Sequence, residues 1–532
     1  MSVRLKLIPL ILAMLFQISP KIHAANWQYR VDVAQAVGKD GKPRESGSAL
    51  LWMPPKAQVL RGLLICGRLK IEGEMVIDPQ VRAVCTEARI GIVYFDPHID
   101  GVFHFWEEGN TSGARWLKAL DDLSERTGHQ EIRRVPWITM GHSTAGIFCR
   151  NVAYWKPDRV AAIVHIKSGN FHQKSSTPPQ GSLKGIPLIS INGQFETFGP
   201  ESGINPEWGR ETQWICAQKD IQLFRSQDPE FLMAEYVHLG EDHFHGSPEL
   251  AKFVALFLKK TAQYRLPEEL SAGDGSVTPL PIKAASGWLV DGDLKESKYP
   301  AASFAEFQGN KSQAMWLYDQ ELCKAYLHDQ QAMSKHQALE NPTIAWINEG
   351  DGWSFKVNSH FLDVMPDAYG GRVGGKPAGH ADGPVVYRSR ISEPISQLGP
   401  DTFRVNRITK ELNIGVYQPG NDQFHTATRW SKIPATTKGG TGQSIQFPGI
   451  PNSTLESFPM KLEAKATSNL PVYYEVDYGP VEIREGVLQI SEIPADAKFP
   501  LDCRVTAYQI GRRIEPGVNP APPVSQTFQI LR

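Results

Sequence analysis

The sequence predicts an α/β fold over residues 59–260, in which a mostly parallel sheet is covered by helices on both faces. Short β-branched or aromatic runs alternate there with amphipathic helical segments, and the strand-like runs end at turn residues such as Gly67 and Asp96-Pro97. This alternation is typical of parallel strands joined by crossover helices. A third observation concerns residues 456–532, where apolar residues alternate with period two between turn residues. That pattern predicts a C-terminal β-sandwich after a mixed region.

The elements of the α/β part are predicted from hydrophobic periodicity and from end signals. One helix has Trp116, Leu117, Leu120 and Leu123 on a single face, and the last helix opens with an N-cap serine and an N1 proline at Ser247-Pro248. The predicted strands are 59–66, 90–95, 136–140, 160–166 and 186–191, and the predicted helices are 112–126, 144–155 and the one that opens at 247.

Composition shifts divide the rest of the chain. Residues 261–285 are rich in proline, glycine and polar residues, which marks a boundary after an α/β domain of residues 25–265. We predict a linker and mixed α+β region of unknown role at 266–455, with one helix at 310–328. Residues 456–532 form the predicted sandwich, which is similar to the immunoglobulin-like type.

The N-terminus has the order of a secretory signal peptide. Arg4 and Lys6 precede an apolar stretch at 7–18, and Ile22-His23-Ala24 follows as a cleavage site. The apolar stretch is too short for a stable membrane anchor, which is the alternative. We therefore predict that residues 1–24 are removed and that the protein is secreted or periplasmic, with no stable membrane anchor.

Charge and cysteine content exclude several classes of protein. The 532-residue chain has a formal net charge of -1, so no broad attraction to nucleic acid is predicted. Its six cysteines show no Cys-x-x-Cys spacing, which leaves a zinc knuckle or a redox pair unsupported. Export would permit disulfides, but the sequence does not pair them. The oligomeric state is not predictable from these features.

We predict no cofactor and no metal. The pair His243 and His245, with Asp242, His98 and His104, raises a metal site as an alternative, but no recognised ligand spacing is present. The glycine-rich stretch 370–377 approaches a phosphate-binding loop, yet proline stands where the loop needs a hydroxyl.

The stretch 137–146, which reads WITMGHSTAG, carries the strongest functional signal. A strand ends at Gly141, a serine follows at position 143, and a helix begins at once. A tight strand-to-helix turn strains its central residue and needs small neighbours, here Gly141 and Ala145, with Gly146 giving further room. Such a turn lifts the Ser143 hydroxyl above the sheet edge and directs a helix N-terminus at it.

This stretch resembles the nucleophile elbow of the α/β-hydrolase superfamily, of the esterase and lipase type, over residues 59–260. The resemblance implies a catalytic order of serine, acid and histidine. Ser143 is the implied nucleophile. The implied acid is Glu196, which follows the strand at 186–191, with Glu201 as the alternative.

The histidine is implied to lie in the loop before the last helix. His243 follows a glycine at the family's spacing and is preferred to His245, and His238 in the preceding strand is interpreted as structural. The resemblance also implies two backbone N–H groups that hold the oxyanion, one at Thr144 and the other at Arg68 or Leu69.

Three further residues are predicted to line the substrate site. His142 lies in the elbow, as a packing or site-lining residue. Phe103 and Trp106 lie in the aromatic loop that follows the strand at 90–95, and they form either a substrate-facing wall or part of the core.

Together these features predict an exported serine hydrolase that cleaves carboxylic esters through an acyl-enzyme on Ser143. Export and a C-terminal β-sandwich favour a small-molecule or glycan ester as substrate, such as an acylated polysaccharide or oligosaccharide. The alternative is a catalytically inactive hydrolase fold that serves as a polysaccharide-binding or adhesive protein, because the chain after residue 285 is large and carries no catalytic motif.

Overall fold

The computed structural model describes most of the chain after the N-terminal segment. The described residues are 23–24, 26–34, 47–67, 70–96, 99, 103–169, 181–196, 213–293, 297–331, 337–365, 375–421, 423–424, 426–437 and 439–532.

A large mixed sheet dominates the first half of the described chain. Its strand order is β2-β3-β5-β4-β6-β7-β8-β9, and β4 to β9 run parallel, while β3 is antiparallel to both neighbours. The elements up to residue 265 are β1 (His23–Ala24), β2 (Tyr29–Val33), β3 (Gly47–Trp52), β4 (Gly62–Cys66), α1 (Lys70–Met75), α2 (Pro79–Glu87), β5 (Ile90–Asp96), α3 (Ser112–Thr127), β6 (Trp137–His142), α4 (Thr144–Trp155), β7 (Val160–Ile166), β8 (Leu188–Gly193), α5 (Gln213–Gln227), β9 (Met233–His238) and α6 (Pro248–Arg265).

The predicted mostly parallel sheet is confirmed, and five of its strands are buried along their whole length. Every residue of β4, β6, β7, β8 and β9 is buried. This burial explains why these strands read as continuous apolar runs without alternation. Because all six parallel strands end at the same edge, the loops after them meet there and can build one site.

The region predicted as one unit at 266–455 divides in two. Residues from Ala284 to Tyr326 share a continuous hydrophobic core with the large sheet, whereas a separate core lies within residues 339–433, joined by Ile510. The elements of this region are β10 (Trp288–Val290), β11 (Ala302–Ser303), β12 (Met315–Leu317), α7 (Gln320–Gln331), β13 (Thr343–Trp346), β14 (Ser354–Asn358), β15 (Val386–Ser389), β16 (Ile395–Gln397), β17 (Thr402–Val405), β18 (Asn413–Gln418), β19 (Ala427–Lys432), β20 (Ile445–Gln446) and β21 (Ser453–Thr454).

The helix predicted at 310–328 is wrong in its first half. Residues Met315–Leu317 form β12, which pairs antiparallel with β10, and the helix α7 begins only after Asp319. The Asp319 carboxylate accepts a hydrogen bond from the Leu322 N–H at 3.0 Å and so caps the helix. All three residues of β12 are buried, so the sequence shows no one-sided pattern that separates a short strand from a helix.

The C-terminal residues form small, mainly antiparallel sheets. One has the order β1-β25-β26-β22, in which β1 (His23–Ala24) comes from the end of the predicted signal segment. The other has the order β21-β28-β27-β24, in which only β21 runs parallel to its neighbour. These sheets agree with the predicted β-sandwich region, and its immunoglobulin-like type stays a prediction. The strands are β22 (Met460–Lys461), β23 (Lys465–Ala466), β24 (Tyr473–Tyr478), β25 (Val481–Arg484), β26 (Val487–Ile490), β27 (Leu501–Tyr508) and β28 (Val524–Leu531).

Two general features complete the fold. All six cysteines lie in described segments and are free thiols, five of them buried. Among the helices of the described segments, none has the length and apolarity needed to cross a membrane.

Candidate active site

Ser143 occupies a strained backbone conformation between β6 and α4. Its φ of 54° and ψ of -124° lie in a region that L-residues rarely adopt. The turn is held by its own backbone, because the Ser143 N–H donates to the Ile166 carbonyl at 2.9 Å and its carbonyl accepts from the Gly146 N–H at 3.0 Å. The Ser168 hydroxyl donates to the same carbonyl at 2.6 Å. The serine is thus fixed at the edge where the parallel strands end.

The small residues around Ser143 are required by close packing. A Cβ atom added at Gly141 would collide with the Ala145 carbonyl and lie 2.8 Å from the Cys149 sulfur. One added at Gly146 would collide with the Ser168 hydroxyl and lie 2.6 Å from the His165 ring. Real Cβ contacts are not this short, so the elbow needs glycine at both positions.

His243 lies in the loop between β9 and α6, and its ring joins the serine to the acid. Its Nε2 atom lies 3.1 Å from the Ser143 Oγ, and its Nδ1 atom lies 2.6 Å from the Glu196 Oε1. In the neutral imidazole, Nδ1–H therefore donates to the carboxylate and Nε2 accepts from the serine hydroxyl. The structure brings together the three residues that the sequence singled out as nucleophile, acid and base.

Glu196 is held in place from two sides. It follows β8, its second oxygen accepts from the Gly193 N–H at 2.9 Å, and its side chain is only 1% exposed. Gly193 packs on the histidine loop so closely that an added Cβ would lie 2.6 Å from the Glu241 carbonyl. The carboxylate is thus screened from water and has the imidazole as its charged partner when His243 takes a proton.

The second candidate histidine, His245, has a different partner. Its Nδ1 atom lies 2.6 Å from Asp242 Oδ1, and its ring stacks on Trp430 at 4.7 Å. Burial lowers the pKa of His245 to about 4, so its ring is neutral at pH 7. His238 also agrees with its structural interpretation, since its Nε2 lies 2.9 Å from the Ser247 hydroxyl and burial holds its pKa well below the usual value. Glu201, the alternative acid, lies outside the described residues.

One of the two predicted oxyanion donors can be placed. Thr144 is the first residue of α4, where a backbone N–H has no carbonyl within the helix to accept from it. Its N–H therefore points out of the helix start beside Ser143, together with the positive end of the helix dipole. Arg68 and Leu69, predicted for the second donor, lie outside the described residues.

For two of the residues predicted to line the substrate site, the structure favours the packing alternative. His142 is 2% exposed and donates from Nε2 to the His243 carbonyl at 2.8 Å, so it packs against the loop that carries His243. Phe103 has no exposed surface and packs edge-on against Phe148 at 5.4 Å, so it belongs to the core. Trp106 is half-buried, with its ring 4.8 Å from that of His104.

Sequence reasoning missed Lys167 and Ser168, which follow β7 directly. Lys167 has no exposed surface and donates from Nζ to the His245 carbonyl at 2.5 Å, while Ser168 binds the Ser143 carbonyl. The two neighbours thus tie the histidine loop to the elbow. Their position at the end of a parallel strand beside β6 is a signal that could have identified them.

A possible metal-ligand set lies beside the triad. Ligand atoms of Glu241, Asp242 and His245 lie within 4.8 Å of one another. However, the Lys167 ammonium donates to the His245 carbonyl, and Arg388 lies 3.9 Å from the Glu241 carboxylate. Two cationic side chains at this place already supply the positive charge, and Asp242 is engaged by His245. The donor set does not fit a bound metal ion well.

Two buried carboxyl groups near the loop predict a pH-dependent stability. Burial raises the pKa of Glu74 and of Glu241 to about 7, from a usual value of 4.5. A carboxyl with a raised pKa stabilises the folded state below its unfolded pKa, and that stabilisation is lost as pH rises through the folded pKa. We expect the free energy of unfolding to fall by about 1.4 kcal/mol per carboxyl for each pH unit between about pH 4.5 and 7.

The measurement is urea unfolding at several pH values, for the wild type and for Glu74→Gln/Glu241→Gln. The absolute stability of the variant is not the readout, because the substitutions also remove the carboxylate partners of Arg390 and Arg388. The buried histidines change the unfolding free energy with pH in the opposite direction. They are present in both proteins, so they do not account for a difference between the two pH slopes. An identical pH slope in the two proteins would contradict the assignment of the raised pKa values.

Comparisons with known proteins show likeness only at the level of three-dimensional structure. No protein-family model matches the sequence, and no curated protein matches it. The solved structure of a poly(3-hydroxybutyrate) depolymerase, LpqC from Bordetella parapertussis, is 13% identical, with a TM-score of 0.31, over 45% of this chain and 92% of that one. The lidless serine hydrolase XC6422 from Xanthomonas campestris is 14% identical, with a TM-score of 0.28, over 46% of this chain and 97% of that one. Est1E from Butyrivibrio proteoclasticus is 12% identical, with a TM-score of 0.25, over 42% of this chain and 95% of that one.

Likeness at these identities and TM-scores does not transfer an activity to this chain. The fold itself follows from the features described above: the parallel strands β4 to β9, the antiparallel β3, and the strained serine between β6 and α4. The order of serine, acid and histidine along the chain agrees with it. The described residues between 47 and 265 adopt the α/β-hydrolase fold that the sequence predicted for residues 59–260.

Proposed function

We propose that this protein is an exported serine hydrolase that cleaves carboxylic esters, with glycan or other small-molecule esters as its substrates. The observation that carries the proposal is the chain of short contacts from Ser143 Oγ to His243 Nε2 at 3.1 Å and from His243 Nδ1 to Glu196 at 2.6 Å. A serine hydroxyl at this distance from an imidazole can transfer its proton and attack an acyl carbon.

The reaction follows from the geometry in two halves. The Ser143 Oγ forms a bond to the ester carbonyl carbon while its proton passes to His243 Nε2, and Glu196 stabilises the resulting imidazolium. The negative charge on the carbonyl oxygen is stabilised by the Thr144 N–H, a donor of a kind worth about 3–4 kcal/mol. The imidazolium then gives its proton to the leaving alkoxide, and the acyl group stays on Ser143.

The second half releases the acyl group. A water molecule gives a proton to His243 Nε2 and attacks the acyl carbon, and the imidazolium returns that proton to the Ser143 Oγ as the ester bond breaks. The products are a carboxylic acid, an alcohol and the original enzyme. No cofactor is needed for either half.

The substrate class is inferred from the parts of the chain on either side of the hydrolase fold. The N-terminal signal-like segment predicts export, and the β-rich regions after the hydrolase fold would suit binding of an extended substrate outside the cell. The leaving alcohol would be a sugar hydroxyl in an acetylated or feruloylated glycan, and methanol in a methyl-esterified one. A panel of acetylated, feruloylated and methyl-esterified glycans, assayed beside short acyl esters of p-nitrophenol, tests this class.

The experiment that tests the activity itself is labelling with a fluorophosphonate probe. We expect the wild-type protein to be labelled at Ser143, as located by peptide mass spectrometry, and Ser143→Ala to remain unlabelled. The matched control is Ser168→Ala, which removes a neighbouring serine that binds the elbow but does not face His243. A folded wild type that neither reacts with the probe nor hydrolyses any ester would contradict the proposal and favour a binding or adhesive role.

A further inference from the structure

The loop that carries His243 is held through three successive backbone carbonyls. The carbonyl of His243 accepts from His142 Nε2 at 2.8 Å, that of Phe244 accepts from Arg390 Nη2 at 3.1 Å, and that of His245 accepts from Lys167 Nζ at 2.5 Å. All three donor side chains are at least nine-tenths buried. Two of them belong to the hydrolase fold, His142 at the end of β6 and Lys167 directly after β7. Arg390 comes from the region of unknown role, 146 residues further along the chain.

A second contact from the same region bears on the loop. Trp430, in β19, stacks on the His245 ring with a centroid distance of 4.7 Å and an interplanar angle of 1°. Its cross-strand partner is Gly415 in β18, where an added Cβ would lie 2.8 Å from the indole. The glycine thus leaves room for the indole to lie over β18 while it faces the histidine loop.

The start of the loop is fixed by the same sheet. The Thr428 hydroxyl, also in β19, donates to the Gly240 carbonyl at 3.2 Å. Gly240 has a φ of 74°, and an added Cβ there would lie 2.9 Å from the Thr426 carbonyl carbon. Arg388 in β15 lies 3.9 Å from the buried Glu241 carboxylate. Contacts from β15, from Arg390 directly after it and from β19 therefore reach residues 240, 241, 244 and 245, on both sides of His243.

The contacts of Arg390 and Trp430 with the histidine loop lie beside open space, because the loop is not closely packed where it faces these two residues. A cavity of about 490 Å³ borders Gly246, Ser247, Arg390 and Trp430. With open space next to it, the loop depends on discrete contacts for its position more than on close packing. Loss of Arg390 or Trp430 would give the backbone around His243 room to move.

We propose that the three-stranded sheet β15-β18-β19 is a clamp that sets the position of His243, with Arg390 and Trp430 as its positioning residues. The proposal rests on the serine hydrolase function proposed above. It assigns a role in catalysis to residues 386–432, which do not touch the reacting atoms themselves. The distance of His243 Nε2 from Ser143 Oγ then depends on a region outside the hydrolase fold, and the clamp holds the imidazole where it can take the serine proton.

Two variants test the clamp, and each has a matched control. Trp430→Ala removes the stacking ring, and Trp430→Phe restores an aromatic ring at that place. Arg390→Ala is made together with Glu74→Gln, because Glu74 lies 3.5 Å from Arg390 and would otherwise stay buried without its partner charge. Glu74→Gln alone is its control. Tyr417→Phe breaks another bond between the same two regions, to Glu249 in α6, without touching the histidine loop.

We expect Trp430→Ala and the double variant to lower kcat for a short acyl ester by about 10- to 100-fold, with a much smaller change in KM. Hydrogen–deuterium exchange of the peptide that contains residues 240–247 should become faster in both. Trp430→Phe, Glu74→Gln and Tyr417→Phe should keep kcat within about threefold of the wild type. The thermal transition of each variant shows that it is folded.

Each other result has a defined meaning. Wild-type exchange in both clamp variants would overturn the proposal, and so would faster exchange with an unchanged kcat. A wild type that neither reacts with the fluorophosphonate probe nor turns over esters refutes the proposed hydrolase function. In that case the exchange data alone decide whether β15-β18-β19 clamps the loop.

Discussion

Replacing His243 by phenylalanine is expected to lower kcat for ester hydrolysis by about 10⁶-fold, whereas the same substitution at His245 should lower it by less than about 10-fold. Of these two histidines, only His243 has a ring nitrogen beside the serine, with Nε2 3.1 Å from the Ser143 Oγ. His245 donates to Asp242 and stacks on Trp430, and phenylalanine would keep the stacking. The phenylalanine ring has no nitrogen to accept a proton, so the comparison isolates proton transfer.

The measurement is kcat and KM on a p-nitrophenyl ester, together with the rate of fluorophosphonate inactivation. Both variants are checked by circular dichroism, since each places a phenylalanine in a largely buried position. A larger loss at His245 than at His243 would mean that the loop adopts another register in solution. The acid assigned to Glu196 would then also need to be reassigned.

The sequence predicted the parallel sheet well because its strands are buried on both faces. The strand Val160–Ile166 and the helix Thr144–Trp155 agree with prediction to the residue. The helix is bounded by clear signals, since it starts at the elbow and ends just before Pro157. The strand predicted from residue 59 begins only at Gly62, and Val59 is 41% exposed. An apolar residue alone does not show where burial begins.

Other elements were missed although they carry a signal. The helix Pro79–Glu87 has an aspartate N-cap, Asp78, followed by a proline at its first position. The same kind of cap at Asp319 marks the true start of the helix that was predicted to begin at residue 310. In both cases the cap residue marks where the helix begins. At Asp319 the apolar run beside the cap is misleading, because all three residues of β12 are buried and show no periodicity.

The residues of the proposed triad were predictable one by one, but the preference for His243 over His245 depended only on the glycine spacing that the resemblance implies. The two histidines lie two residues apart on a loop without regular structure, so no periodicity assigns a side to either. The decision depends on Glu196 from β8, which reaches His243, and on Asp242 within the loop, which engages His245. These are long-range and local contacts that only the folded backbone defines.

The clamp residues were beyond sequence reasoning for a related reason. Arg390 and Trp430 carry no motif, and each meets the histidine loop more than 140 residues away along the chain. The stacking of Trp430 needs Gly415 on the neighbouring strand, and this pairing depends on the register of β18 with β19. For a site that is supported from a second structural region, the sequence therefore predicts the motif residues but not the residues that support them.

Replacing Glu196 by glutamine is expected to lower kcat by about 10⁴-fold while leaving the fold intact. The carboxylate accepts from His243 Nδ1–H at 2.6 Å and so selects the tautomer whose Nε2 can receive the serine proton. Its other oxygen accepts from the Gly193 N–H, and the glutamine oxygen would keep that bond, turning the amide NH₂ toward Nδ1. The imidazole would then carry its proton on Nε2, the wrong nitrogen for a base.

The matched control for this change is Asp242→Asn, which makes the same replacement in the neighbouring carboxylate–histidine pair of the same loop. Asp242 accepts from His245 Nδ1–H at 2.6 Å, a distance equal to that in the catalytic pair, but its partner does not face Ser143. We expect Asp242→Asn to lower kcat by no more than about 10-fold, through the position of the loop alone. Equal losses in the two variants would show that the effect of Glu196 is structural and that the acid of the triad lies elsewhere.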